Sequence, residues 1–291
     1  MVDVAVIGGG TAGLTAALTA RHAGATVCLV ERESRLGGDC TFYGCVPSKT
    51  LLALARVAHD ARLAAAAGIL DVSPAVVFSR VAAHLDATVA RIAEDERDER
   101  FARHGIEVVH GRAEVAGPGE LDVNGRTIRA RRLVLATGSE PELPDLPGLA
   151  DLCLTNRTIF GLSELPRRLV VLGGGSTGLE LAQAFARFGS AVTVIESEER
   201  LLPGEEPEAG RALGEALTGE GVDVRVAARV TAVRGANGST VVELGDERLE
   251  ADRLLVATGQ HPAVDGLGLE RLGLAALQVD DRCRTSAEAV Y

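Results

Sequence analysis

The sequence predicts an α/β protein made of two Rossmann-like units with small antiparallel β excursions. Three observations lead there. Apolar strand-type runs alternate with helix-type runs in βαβ order. A strand, a glycine-rich loop and a helix follow one another twice, and each half closes on an Ala-Thr-Gly turn. The 291 residues exceed one ordinary domain and suit two, each with its own core.

Composition agrees and excludes other classes. Hydrophobic residues are 46% and charged residues 24%, with no Trp, so the core must be aliphatic. The net charge of −11 disfavours nonspecific binding to nucleic acid or to anionic membranes. The five cysteines, Cys28, Cys40, Cys45, Cys153 and Cys283, are an odd, scattered set rather than the framework of a stapled secreted domain. Met1 runs directly into a strand, with no basic leader and no apolar run of membrane-spanning length. The expected compartment is the cytoplasm, with no nucleic-acid or membrane partner.

The elements follow in order. Val4–Ile7 reads as a strand, Thr11–His22 as a helix, Thr26–Val30 as a strand and the Ala/Leu-rich Lys49–Ala66 as a helix. Pro74 suits the first turn of a long helix reaching about Arg103. Ile106–His110, Leu121–Val123, Thr127–Ala130 and Leu133–Ala136 read as short strands, and the proline-rich Pro141–Pro147 as a linker. The pattern then restarts: strand Leu169–Leu172, helix Ser176–Phe188, strand Ala191–Ile195, a helix around Pro207–Leu217, and strands at Val222–Val226, Thr240–Leu244 and Leu254–Ala257.

Gly8-Gly9-Gly10-Thr11-Ala12-Gly13 matches GxGxxG between a strand and a helix. Gly8 permits the tight turn, Gly10 lets the backbone approach a pyrophosphate, and Gly13 lets the helix pack close to the strand. The helix N-terminus offers N–H groups and partial positive charge to phosphate. Glu31 ends the next strand eighteen residues beyond Gly13, placed to accept bonds from ribose hydroxyls. Gly173, Gly175 and Gly178 repeat the pattern, with Glu196 again eighteen residues on. A carboxylate there disfavours the 2′-phosphate of NADP by about 1–4 kcal/mol. NADH is therefore the expected nucleotide, while Arg200 nearby would act in the opposite sense.

Cys40-Thr41-Phe42-Tyr43-Gly44-Cys45 is a CxxxxC ahead of Val46-Pro47-Ser48-Lys49. A disulfide needs its Cα atoms within about 7 Å, so the segment must curl. Pro47 suits a first helical turn, which puts Cys45 near a helix N-terminus, where the dipole favours a thiolate. So small a loop would gain only about 2 kcal/mol from a structural bridge, so redox work is the better reading. No second ligand pair has the spacing for zinc, and no metal site is expected. Cys28, inside a strand, reads as core.

The run Gly37 to Lys49 resembles the redox motif of the class I pyridine nucleotide-disulfide oxidoreductases, which include dihydrolipoamide dehydrogenase, mercuric reductase and glutathione reductase. With both glycine loops and both Ala-Thr-Gly turns, the resemblance covers the whole chain. It implies an FAD-binding domain (1–146), an inserted NAD-binding domain (147–262) and an incomplete return to the first (263–291). It implies that NADH reduces the flavin and the flavin reduces a Cys40–Cys45 disulfide. Cys45 would face the flavin and Cys40 would attack the substrate. Lys49 would lie near the flavin and pair with Glu180, making these four the implied catalytic set. Gly8, Gly10, Gly13, Glu31, Arg32, Gly38, Asp39, Lys49, Ala113, Thr137 and Gly138 would hold FAD. Gly173, Gly175, Gly178, Glu196, Val230 and Gly259 would hold NAD. Gly178, Glu180 and Glu196 resemble the NADH-using branch.

Two departures stand out. Phe42 replaces the Asn usual two places after the first cysteine, and Gly259-Gln260-His261-Pro262-Ala263 replaces Gly-Arg-x-Pro-Asn. The chain also stops short of the second flavin motif's Gly-Asp. The dimerisation domain and the catalytic His-Glu pair that would follow are expected to be absent, and this piece to be nearly inactive alone. The expected function is FAD-dependent, dihydrolipoamide dehydrogenase-like disulfide exchange, with a lipoamide-like substrate and a homodimeric full-length protein. Rivals are reduction of a metal ion such as mercury or of another thiol-disulfide pair, a quinone or oxygen reductase that bypasses the cysteines, and a non-catalytic NADH-binding module.

Overall fold

The computed structural model describes residues 1–71, 75–236, 239–274 and 276–291. The chain forms two compact units. The first comprises Met1–Phe42, Val89–Glu140 and Pro262–Tyr291, and the second Tyr43–Thr88 and Pro141–His261. Residues 43–88, assigned to the first domain from sequence, group instead with the second unit. The reason is packing: the helix Cys45–Ala66 lies along the helix Ser176–Phe188, and Phe78 sets its ring 5.9 Å from Phe185 and 5.7 Å from Phe188.

In the first unit, β1 (Val2–Ile7) leads through the glycine loop into α1 (Thr11–His22), then β2 (Val27–Glu31) and the short α2 (Gly38–Phe42). β3 (Ile106–His110), β4 (Ala113–Gly117), β5 (Glu120–Val123) and β6 (Arg126–Leu135) complete a six-stranded sheet in the order β3-β2-β1-β6-β5-β4. The four strands from β3 to β6 run parallel, and β5 and β4 are added antiparallel. Strand alternation sends Val6 and Leu29 to one face, with Leu14 and Ala17 of α1. Ala5, Ile7, Cys28 and Val30 go to the other, with Val115, Leu121 and Ile128.

The second unit repeats the plan. Its parallel sheet runs Asp223–Arg225, Ala191–Ile195, Arg168–Leu172, Arg253–Val256, Cys153–Leu154. A three-stranded antiparallel sheet, Ala232–Ala236, Ser239–Leu244 and Glu247–Ala251, covers one face through Val233, Val242 and Ala251. In both units the strand that feeds the glycine loop is flanked on both sides by parallel strands, the position at which α/β sheets open a ligand crevice beyond their carboxyl ends.

Several sequence expectations change. The long helix to Arg103 is broken into Phe78–Ala93, a 3-10 turn Glu94–Glu96 and a helix Asp98–Arg103, with Arg97 extended between them. Asp98 and Glu99 suit the N-terminus of the helix that starts after the break. The part of that expectation resting on Pro74 lies outside the described residues. Thr127–Ala130 and Leu133–Ala136 are one strand, β6, that pairs with β5 first and β1 later. The helix expected from Lys49 starts at Cys45, with Pro47 in its first turn. Ala113–Gly117, Cys153–Leu154, Ala232–Ala236 and Glu247–Ala251 are strands that the sequence reading did not assign.

Among the described residues no helix is long and apolar enough to cross a membrane. Phe185 is 1% exposed. The variant Phe185→Ala is expected to destabilise the second unit by about 3–5 kcal/mol, because the cavity adds to the lost burial. Urea denaturation followed by circular dichroism measures this, and a loss below about 1 kcal/mol would contradict the packing described.

Candidate functional site

The two glycine loops are built alike. Gly8 and Gly173 both have left-handed φ, 107° and 114°. A Cβ on Gly8 would strike the carbonyl of Ala136, and one on Gly173 that of Ala257. A Cβ on Gly13 would strike the carbonyl of Gly8, and one on Gly178 that of Gly173, so each helix rests directly on its loop. Gly10 and Gly175 differ. A Cβ on Gly175 would meet nothing within 4 Å, and one on Gly10 only Gly38 Cα at 3.6 Å. Both are helix N-caps with extended backbone and no side chain to cap the first turn. The helix N–H groups there face room for an anion, which is the cradle a pyrophosphate requires.

Both acids hold these loops. Glu31, 7% exposed, accepts from Gly9 N at 2.6 Å through Oε2 and from Glu33 N at 2.8 Å through Oε1. Glu196, 8% exposed, accepts from Gly174 N at 2.7 Å and from Glu198 N at 2.9 Å. The sequence reading gave these carboxylates only ribose hydroxyls to bind. The structure gives each a prior task, fixing the loop's central glycine. An ionised carboxylate has about four lone-pair positions, so two remain on Glu31 and one on Glu196, whose Oε1 also accepts from Ser197 Oγ at 3.2 Å.

In the second unit the loop opens on a cavity of about 780 Å³, within the size range of small-molecule sites. Of the residues expected there, Gly173, Gly175, Glu196, Val230 and Gly259 line it, while Gly178 lies beneath the loop. The lining also includes Asn156, Ser197, Glu198, Arg229 and Gln260, which the sequence reading did not assign. Ser197 and Glu198 follow the loop's acid directly and were within reach of the motif; Asn156 lies on a turn with no motif at all. The expected linker supplies lining too, through Pro141, Pro144 and Asp145. Arg200 is committed elsewhere: its guanidinium donates to the carbonyls of Leu202 (3.0 Å), Pro203 (2.5 Å) and Glu205 (2.9 Å).

In the first unit the segment before Cys40 is fastened to the loop. Gly37 N donates to Gly9 O at 2.8 Å, and Gly38, at φ 59°, packs so close to Gly10 that a Cβ would lie 2.7 Å from its Cα. Asp39 lies in the first turn of α2, and Cys40 follows, half-buried. Thr41 donates to Glu96 at 2.7 Å. Phe42, the departure from the family pattern, is buried with the Arg35 guanidinium 3.6 Å above its ring. Arg32 pairs with Glu140 at 3.0 Å. Ala113 is buried at the start of β4, and Thr137-Gly138 follow β6, where Gly138 O accepts from Ala263 N at 3.0 Å.

In the second unit Cys45 is exposed and opens the helix Cys45–Ala66, now α3, so its sulfur sits at the positive end of a 22-residue helix dipole. One turn on, Lys49 Nζ donates to both carboxylate oxygens of Glu180, at 2.7 and 2.5 Å. Cys28 is different: burial pushes its thiol up to about 11, so it stays protonated as core.

This is a protein with two α/β units built around like glycine loops, the first carrying Cys40 and the second Cys45. The family described as pyridine nucleotide-disulphide oxidoreductase matches residues 2–291, and the chain belongs to it. It is 36% identical to a mercuric reductase of Streptomyces lividans over 305 residues, covering 99% of this chain and 64% of that protein. It is 37% identical to dihydrolipoyl dehydrogenase 3 of Pseudomonas aeruginosa over 293 residues, covering 94% of this chain and 61% of that one. The HOCl-induced flavoprotein disulfide reductase RclA of Escherichia coli superposes with a TM-score of 0.88 at 30% identity, over 99% of this chain and 65% of that one. The chain thus spans less than two thirds of the length of these relatives. The family binds FAD and a nicotinamide dinucleotide.

His110 adds a pH-dependent tie beside the first loop. Its Nδ1 donates to the Glu33 carbonyl at 2.5 Å and its Nε2 faces Asp98 at 2.8 Å. Only the imidazolium donates both bonds. Burial works against the charge, but the bonds to Asp98 and Glu33 outweigh it and raise the pKa above the ordinary 6.5. A raised folded-state value stabilises fully below the unfolded value and is lost as pH rises through the folded one. The melting temperature of the wild type is therefore expected to fall more than that of His110→Gln as pH is raised from below 6.5 through that higher value. Parallel pH profiles would contradict the assignment.

Proposed function

We propose that the chain carries the nucleotide-binding and redox-cysteine part of an FAD-dependent, NADH-linked disulfide oxidoreductase of the dihydrolipoamide dehydrogenase type. What supports this most is one combination: two acid-tied glycine loops in a chain whose CxxxxC ends at a helix N-terminus. The overall exchange balances as NADH, a proton and a disulfide giving NAD⁺ and a dithiol. FAD, held by the first loop with Glu31, Arg32, Gly38, Asp39, Ala113, Thr137 and Gly138, supplies the two-electron chemistry when bound. The protein's residues supply position and charge. The start of α3 favours the Cys45 thiolate, Lys49 and Glu180 fix that first turn, and Cys40 is the partner thiol that exchanges with substrate. A lipoamide-like disulfide is the first substrate class. Metal-ion reduction is the second, favoured by the likeness to a mercuric reductase. The whole protein is proposed to be a cytoplasmic homodimer.

NADH fits the second cavity better than NADPH. Glu196 and Glu198 both line it, as does Arg229, and Arg200, the next cation along the chain from these acids, has its guanidinium spent on three carbonyls. In the full-length enzyme kcat/KM for NADH is expected to exceed that for NADPH by about tenfold or more. The ratio should narrow in Glu196→Ser; an NADPH preference in the wild type would refute the assignment.

The mechanism itself is tested by anaerobic NADH titration of the FAD-loaded, full-length protein. The expected result is a long-wavelength thiolate–flavin absorption band and consumption of about two equivalents of NADH, one for the flavin and one for the disulfide. The band should vanish in Cys45→Ser. Unchanged NADH-driven turnover in that variant would indicate a flavin reductase that bypasses the cysteines. Tight NADH binding by a protein that never holds FAD would indicate a binding module.

A further inference from the structure

We infer that Asn156 is a positioning residue that couples occupancy of the second unit's cavity to the segment carrying Cys45. The inference rests on reading that cavity as the nicotinamide dinucleotide site and Cys45 as a redox thiol.

Asn156 belongs to both places at once. It lines the cavity, and its Nδ2 donates to the carbonyl of Tyr43 at 3.3 Å, two residues before Cys45. Its neighbour Arg157 sets its guanidinium 5.3 Å from the centre of the Tyr43 ring, an attractive cation–ring distance. The turn that presents them is stiff. Thr155 N donates to Thr158 Oγ1 at 3.0 Å, Arg157 N to Thr155 Oγ1 at 3.3 Å, and Thr158 N to Thr155 O at 3.0 Å. The strand Cys153–Leu154 anchors the turn in the parallel sheet on one side, through its pairing with Leu254–Leu255. Ile159, 1% exposed, anchors it on the other. The threonines clip the turn from within.

A primary amide suits this task, because it has two donors and an acceptor on one planar group. With Nδ2 on the Tyr43 carbonyl, Oδ1 and the second N–H remain for a nucleotide in the cavity. A ligand that engages them fixes the amide plane and so the Tyr43 carbonyl, the backbone group nearest the Gly44 N-cap of α3. Filling the cavity therefore orders the first turn in which Cys45 sits and slows reactions at its sulfur.

The test measures iodoacetamide alkylation of Cys45 in the reduced chain by peptide mass spectrometry, across pH, without and with saturating NAD⁺. Binding is followed separately by calorimetry. In the wild type NAD⁺ is expected to slow Cys45 alkylation by about threefold or more, and in Asn156→Asp and Asn156→Ala, each saturated, the effect should disappear. Asn156→Asp keeps the size and loses the donor, while Asn156→Ala removes the group, so either variant suffices should the other fail to fold. Protection that persists in the variants would mean that the ligand shields Cys45 directly, which overturns the inference. So would an unchanged wild-type rate despite measured NAD⁺ binding, and that result would leave the cavity assignment standing. No NAD⁺ binding at all would overturn both.

Discussion

A buried carboxylate bonded to the backbone N–H of a central loop glycine is the interaction on which both units depend. Glu31 makes it to Gly9 and Glu196 to Gly174. It joins the end of one strand to the loop that leaves its neighbour, so the glycine loop and the acid become a single object. A buried N–H left without a partner costs about 1–3 kcal/mol. The second bond of each acid, to Glu33 N or Glu198 N, also sets the turn after the strand. The glycines on either side are bound by the same constraint, since Gly13 and Gly178 have no room for a side chain against the loops they support.

Around the cysteines the deciding interactions are geometric rather than stabilising. The Lys49–Glu180 pair is 61% and 41% exposed on its two side chains, and such pairs contribute about 0–1 kcal/mol. Its consequence is orientation: it pins one turn of α3 to the helix that begins at the second glycine loop. Asn156 and Arg157 act on the same segment from the sheet edge. On the Cys40 side, backbone contacts of Gly37 and Gly38 with Gly9 and Gly10 play the corresponding part.

Much of this was legible in the sequence because local chemistry wrote it there. The boundaries of Thr11–His22, Ile106–His110, Ser176–Phe188 and Ala191–Ile195 follow from apolar period and glycine punctuation, and the structure has the same bounds. The loops and their acids were legible because close approach leaves no alternative to glycine. What escaped was set by partners distant in the chain. β6 was split in reading because Arg131 and Arg132 interrupt its apolar run, although both are exposed residues of one continuous strand. The grouping of residues 43–88 with the second unit depends on how α3 packs, which no local pattern carries. Asn156 could not be found from a motif, because its meaning lies in a carbonyl 113 positions away.

The most direct test of the paired loops is equilibrium binding of FAD and of NADH to the wild type, Glu31→Ala and Glu196→Ala. The account predicts about one FAD and one NADH per chain, with Glu31→Ala weakening FAD alone and Glu196→Ala weakening NADH alone, each by about tenfold or more. Wild-type affinity for both nucleotides in both variants, or a chain that binds neither, would contradict it.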